Sequence, residues 1–392
     1  MSMLLNSFVF GAAVLAGGDG GAGVPAYFTA ENLASQAAAA SFADVLSATE
    51  TLAAGDYVGF WTFDADNTST QSHQGRAVVD GVALASQIFT TKQPSAPADK
   101  ASFGGMFFHT STGTEKTFAV QAQKSASGTT TVRNARLSML KLGADDESAV
   151  SLTLQNFTDP GNKTAQTAAS LAFTPPSAGD YLIICTALIT LTNTSNVSMT
   201  VELTDGTTST GAIETRPAGI NGERYPVMMI LPLSAISGSK TISFKVRQSG
   251  TGTTTINTED IRILALRLDR FANAYTAVLG SANSGTNTTY TAALSTSPTL
   301  AAADHLVLAS GFYTNTGFGV SSYAEFNDGG AQSQEANREN FHALTKYEMM
   351  MSHSIAAYGA GARTFAINRK SESGTTSVSA GSAIAILDLA GL

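Results

Sequence analysis

The chain has 392 residues, a net charge of −8 and a pI of about 5.1, and only 13% of its residues are charged, against about 25% in an ordinary globular protein. Such a surface, mostly neutral and polar with a negative balance, neither steers ligands by charge nor takes up phosphates, which excludes nucleic-acid binding. A single cysteine, Cys185, rules out an intrachain disulfide, so two or three hydrophobic cores must supply the stability of a chain this long.

In chain order, residues 1–16 are apolar with a small-residue end but carry no Lys or Arg in front, as a secretory signal would, so the segment reads as an arm first and as a cryptic signal second. The segment is also too short to span a bilayer. We read residues 1–24 as an N-terminal arm that ends in a flexible glycine run, Gly17 to Gly23, with Leu4, Leu5, Phe8, Val9 and Phe10 as the candidate anchor to a larger assembly. The alanine-rich segment from Ala30 to Val45 predicts a helix, because alanine leads the propensity scale. Asp19, Glu31, Asp44, Glu50, Asp56, Asp64 and Asp66 all precede the first basic residue, Arg76, and read as ordinary solubilising charge.

Beyond that point the sequence repeats itself. A Gly/Ala-Asp-aromatic step opens an apolar run at Gly55-Asp56-Tyr57, Gly179-Asp180-Tyr181 and Ala303-Asp304-His305, with spacings of 180 − 56 = 124 and 304 − 180 = 124. A Gly-Thr-Thr turn follows at Gly128, Gly252 and Gly374. Each copy then closes on one pattern: Leu137-x-Met139-Leu140-x-Leu142, Ile261-x-Ile263-Leu264-x-Leu266 and Ile384-x-Ile386-Leu387-x-Leu389. A period near 124 is too long for a solenoid and matches an independent domain. The predicted division is 25–143, 144–270 and 271–392, with short linkers that keep the domains in contact.

Within each copy, short runs rich in Val, Ile, Thr, Phe and Tyr are broken by Gly, Asn, Asp, Pro and Ser every eight to twelve residues, the mark of an antiparallel sandwich or barrel. The closing pattern places two apolar residues side by side, which in a strand face opposite ways. It therefore predicts a central strand that is bulged or lies between two layers. Helical signal recurs only at Glu335 to Leu344.

Candidate chemistry is sparse. His73, His109, His305, His342 and His353 have no metal-ligand spacing, and no nucleophile elbow, phosphate loop or dinucleotide fingerprint occurs. Asp64-Ala-Asp66-Asn67 opens like a calcium loop but has Ser69 where glycine belongs and Gly75 where the bidentate Glu belongs, so it reads as a turn. His305 and Cys185 stand at positions that hold Tyr or Trp in other copies and read as packing residues. Met228-Met229 and Met349 to Met351 read as apolar fillers of one equivalent strand. No catalytic residue, metal site or cofactor is predicted.

Tandem copies of this size, with Gly-Asp-Tyr before a central strand and an Ile-x-Ile-Leu-Ala-Leu-type ending, resemble the jelly-roll modules of tailed-phage structural proteins. The resemblance covers residues from about 25 to 392 and is one of pattern and composition. It implies an all-β protein of three tandem antiparallel jelly-roll-like β-sandwich domains with a short N-terminal arm, on the exterior of a virion. It also implies a homotrimer or pseudo-threefold assembly contacting the major capsid protein or other virion proteins. The first expectation is a non-enzymatic capsid decoration or head-fibre protein whose arm grips the shell. The second is a tail-associated receptor-binding fibre in which Tyr313 and Phe318 meet host glycans, and a third is a secreted enzyme with sandwich accessory modules.

Overall fold

A strand that is apolar on both faces has to be covered on both faces, and the segment Gly55–Asn67 is one. Tyr57, Trp61 and Phe63 point one way and Val58 and Phe60 the other, all of them buried. The same double burial recurs in Gly179–Leu191 and Ala303–Asn315. The protein is therefore built in more than two layers.

The computed structural model describes residues 13–19, 25–67, 71–84, 87–91, 99–124, 129–151, 155–159, 164–191, 199–211, 213–215, 224–248, 254–315, 320–329, 333–340 and 346–392. These are almost wholly antiparallel β, and no α-helix occurs among them. One order of eight strands recurs three times. In the first set the strands are Pro25–Asn32, Ala43–Thr51, Gly55–Asn67, Gln71–Val79, Gln87–Thr91, Asp99–Ser111, Glu115–Lys124 and Thr130–Lys141. In the second, Glu147–Ser151 and Gln155–Asp159 together make the first strand, followed by Gln166–Phe173, Gly179–Leu191, Met199–Thr204, Ile213–Thr215, Arg224–Ile236, Lys240–Gln248 and Thr254–Arg267. The third comprises Ala274–Val278, Thr291–Thr296, Ala303–Asn315, Val320–Asn327, Ser333–Asn340, Lys346–Tyr358, Phe365–Ser371 and Ala383–Asp388.

In every set the first, eighth, third and sixth strands form one sheet in that order, and the second, seventh, fourth and fifth form the other. Two four-stranded sheets joined in this order are a jelly roll. Each pair of sheets encloses its own core, around Trp61 and Phe118 in the first set, Ile183 and Phe244 in the second, and Val307 and Phe365 in the third.

A fourth core joins them. Val58, Phe60 and Leu140 of the first set, Leu182, Ile184 and Leu266 of the second, and Leu306, Leu308 and Leu387 of the third belong to one buried cluster. The doubled apolar step of the closing pattern is thereby explained: Met139 fills the first sandwich while Leu140 faces the shared core, so the eighth strand lies between two layers. Met106, Met228 and Met351 meet in the same cluster.

The copies also close into a ring. The fifth strand of the first set lies against the sixth of the second, and the fifth of the second lies against the sixth of the third. The fifth of the third pairs with the sixth of the first at Asn337 and Lys100, joining two sheets into one of ten strands. A head-to-tail contact that returns to its start is a closed heterologous assembly, here made within a single chain.

Four expectations are corrected by the fold. Ala30 to Val45 is not a helix but parts of Pro25–Asn32 and Ala43–Thr51 with Gln36–Ala37 between, because the backbone of Pro25–Asn32 pairs with Thr130–Lys141 and its small Ala30 fits inside the first core. The alanines specify little by themselves, and tertiary pairing overrides a weak propensity. The predicted helix at Glu335 is strand as far as Asn340, and 341–344 lie outside the described residues. Asp64 to Asn67 is the end of a strand rather than a turn. Of the arm, Ala13–Asp19 is a strand paired with Pro25–Asn32, so Gly17 and Gly18 belong to a sheet edge rather than a hinge.

Candidate functional site

The seams between sets carry part of the polar chemistry of the described residues. At the first junction the charged step Ala144 to Glu147 turns back on the second. Buried Asp146 accepts the N–H of Gly143 at 2.7 Å and that of Arg267 at 2.7 Å, and is paired with Arg270. Asp145 holds the Arg267 guanidinium at 2.7 Å, and Asp269 holds it at 2.8 Å. Burial pushes the Asp146 carboxyl above its usual range, an effect that the Arg270 charge only partly offsets. Both linkers, near 143 and near 270, are therefore tied to one knot.

The repeated aspartates at the mouth of each third strand have three different partners. Asp56 accepts the Thr110 hydroxyl at 2.6 Å, Asp180 accepts the N–H of Ala235 at 2.7 Å, and Asp304 accepts the Tyr27 hydroxyl at 2.6 Å. The last of these crosses from the third set to the first. Beside Asp56 an open groove of about 580 Å³ is lined by Tyr57, Phe108, His109, Thr110, the 141–144 turn and Asp146 to Ser148. Its Asp56 and Asp146 are engaged by hydrogen bonds. Among the described residues no group of three or more His, Cys, Asp or Glu side chains is placed to hold a metal ion. No helix of those residues is long and apolar enough to cross a membrane.

Of the residues predicted to touch partners, Tyr313 is corrected. It lies inside Ala303–Asn315, only 2% exposed, packed in the third core, because its position alternates with that of Phe312 on a strand covered on both sides. It is not available to a host glycan. Phe318 and the anchor residues Leu4, Leu5, Phe8, Val9 and Phe10 lie outside the described residues.

His305 fills the buried position held by Tyr57 and Tyr181, with Nδ1 2.9 Å from the Ala303 carbonyl. Cys185 is fully buried in the second core, and burial pushes its thiol well above the ordinary range. An alkylating reagent is expected to leave Cys185 unmodified in the native protein and to label it fully in denaturant. Mass spectrometry of the two samples decides this, and native labelling at the denatured rate would contradict the burial.

A recurrence that the landmarks missed lies on the eighth strands. Asn134 and Asp260 both adopt left-handed backbone, φ 51° and 52°, where the register shifts against the third strand. Asn and Asp tolerate that conformation better than other side-chain-bearing residues. Two residues on, Arg136 and Arg262 are both buried. Their spacing is 262 − 136 = 126, and 260 − 134 = 126, not the 124 of the apolar pattern. The Arg262 guanidinium is paired with Asp260 and donates to the Leu84 carbonyl of the first set at 2.9 Å, closing the seam between sets one and two. The motif Asn/Asp-x-Arg was the available signal.

No family model matches this chain, and no curated protein matches it. Among solved structures it is similar to a chain of the Sulfolobus Turreted Icosahedral Virus, at 10% identity over 93% of this chain and 92% of that one, with a TM-score of 0.21. A triple jelly-roll protein from a study of turret assembly in an archaeal virus matches at 10% identity over 88% and 82%, TM-score 0.20. The CBM22-1–CBM22-2 tandem domain of Paenibacillus barcinonensis Xyn10C matches at 10% identity over 62% and 93%, TM-score 0.18. Scores this low carry no argument about what the chain does. The jelly-roll fold rests on the strand order itself.

Proposed function

We propose that this chain is a non-enzymatic structural protein on the exterior of a tailed-phage virion, of the capsid decoration or head-fibre type, and that it works as a trimer-like knob made from one polypeptide. In this reading the three strand sets are domains divided near residues 143 and 270. The observation that supports it is the closed cycle of fifth-to-sixth-strand contacts around a shared core. A ring that is complete within one chain leaves its outer sheets and its N-terminal segment for partners, of which the major capsid protein is the one proposed.

Gold-labelled antibody against the purified protein, imaged on particles from the source organism, tests the placement. Label over the heads is the expected result. Label confined to tail tips would overturn it in favour of a receptor-binding fibre, and unlabelled particles would remove the virion reading altogether. For the anchor, deletion of residues 1–12 is the informative variant, because residues 13–19 are part of a sheet. The shortened protein is expected to stay folded and to lose capsid binding, and retained binding would end the anchor's role.

A further inference from the structure

Two of the three seams in the ring are held by the chain itself, through the described segments near 143 and 270, whereas the seam between the third set and the first has no covalent tether. That seam is the one at which two sheets run together. Asn337 pairs with Lys100, the Tyr27 hydroxyl donates to Asp304, Met351 reaches over Gly104, and the ring of His353 lies 6.1 Å from that of Phe60.

His353 is out of place there. By strand register it lies opposite Leu308, as Met106 lies opposite Phe60 and Ile230 opposite Ile184. The other two sets therefore put an aliphatic residue at this point of the shared core. His353 is 2% exposed, and neither ring nitrogen has a hydrogen-bond partner. An unsatisfied imidazole in a core is costly, and a charged one is costlier.

We propose that the seam between the third and first sets is an acid-released latch: when the seam parts, His353 takes up a proton from solvent and cannot return to the core while it holds it, so the ring opens there while the two tethered seams stay shut.

The surroundings offer the proton no compensation. Arg136 faces the imidazole from the eighth strand of the first set, and its charge opposes protonation. From the third strand of that set the same face presents Val58, Phe60, Thr62 and then Asp64, whose carboxyl is engaged by Ser102 at 2.9 Å and Asn134 at 2.7 Å. Burial raises the Asp64 pKa to about 6, so this group also takes up a proton in this range, with the opposite effect on stability. The latch is the part of the pH slope that substitution of His353 removes. The sixth strand contributes Ser102, Gly104 and Met106, the neighbouring third strand of the third set Leu306, Leu308 and Ser310, and the second set Met228 and Ile230, none of them titratable in this range. Asp304 is bound to Tyr27, and Asp328, bonded to Tyr358, lies on the opposite face of the His353 strand. Burial and Arg136 hold the closed-state imidazole pKa down to about 3, while the opened residue returns to about 6.5.

Between those two values each unit of acidification multiplies the open population about tenfold. Hydrogen-exchange protection factors on the full chain test this. From pH 6.5 to 4.5, amides of Asp99–Ser111 and Lys346–Tyr358 are expected to lose about 50-fold in protection, while those of Gly179–Leu191 do not change. The variants His353→Met and His353→Ile, which install the residues of the other two sets, are expected to keep the seam protected at both pH values. Seam protection that is flat with pH, a slope that survives both substitutions, or simultaneous loss in all three sets would each overturn the latch.

Discussion

Replacing Gly104 with valine is expected to destabilise the protein by about 3 kcal/mol or more, the upper end of what overpacking costs. A Cβ at this position would lie 2.5 Å from the Trp61 carbonyl oxygen, 2.6 Å from Thr62 Cγ2 and 2.7 Å from Met351 Sδ. The methionine is a flexible side chain of the third set and can retreat. The carbonyl belongs to a paired backbone and cannot, because Trp61 is the register partner of both Leu137 and Gly105 in the middle of a sheet. Gly104 thus performs two functions at once: it admits close strand approach and leaves the space that Met351 enters from across the untethered seam. Urea unfolding of Gly104→Val, with Gly280→Ala as a control whose Cβ position is open, measures the cost. Adding Met351→Ala is expected to restore part of the loss and not all of it. A Gly104→Val protein within about 0.5 kcal/mol of the parent, the range of neutral surface changes, would show that the seam is looser than described.

How much of this was legible follows from which residues carry period-two information. Tyr57-Val58 and Leu182-Ile183 are apolar on both faces, a pattern strong enough to mark the third strand of each set and its position between layers. The doubled Met139-Leu140 step likewise marks the eighth strand. The exact pairing was not legible: Leu140 lies opposite Val58 and Leu387 opposite Leu306, whereas in the second set Leu266, not Leu264, lies opposite Leu182. A two-residue slip keeps every side chain on its face, so apolar periodicity is blind to it, and the Arg136 and Arg262 correspondence was hidden by the same slip. Ala30 misled because alanine suits a helix and also fits beneath a crowded sheet. Tyr313 misled because a tyrosine among polar residues was equated with an exposed one, whereas it sits on a strand covered on both faces. The ring closure brings strands from opposite ends of the chain together and leaves no local trace.

Asp64→Asn is expected to stabilise the protein near neutral pH, and the sign follows from the environment of the carboxyl. Asp64 is fully buried, and burial raises its pKa to about 6 although Asn134, Ser102, Arg136 and Arg133 pull the other way. In the unfolded chain the group titrates near its model value of 3.8. Between those values the folded state holds more protons than the unfolded state, so stability is complete below pH 4 and falls as the pH rises through 6. Two units of difference amount to about 3 kcal/mol at pH 7.5. An amide at position 64 keeps an acceptor for the Ser102 hydroxyl and meets Asn134 by donating to its amide oxygen after a flip, so the loss disappears with little change of shape. Unfolding of the parent and variant at pH 4 and pH 7.5 is therefore expected to give similar stabilities in acid and a gap of up to about 3 kcal/mol near neutrality. A gap independent of pH would place the carboxylate in a better solvated site. The carboxylate is retained at that cost where it bridges Ser102 on the sixth strand to the left-handed Asn134 on the eighth. That bridge fixes the bulge from which Arg136 enters the seam, so the destabilising charge also sets the register on which ring closure depends.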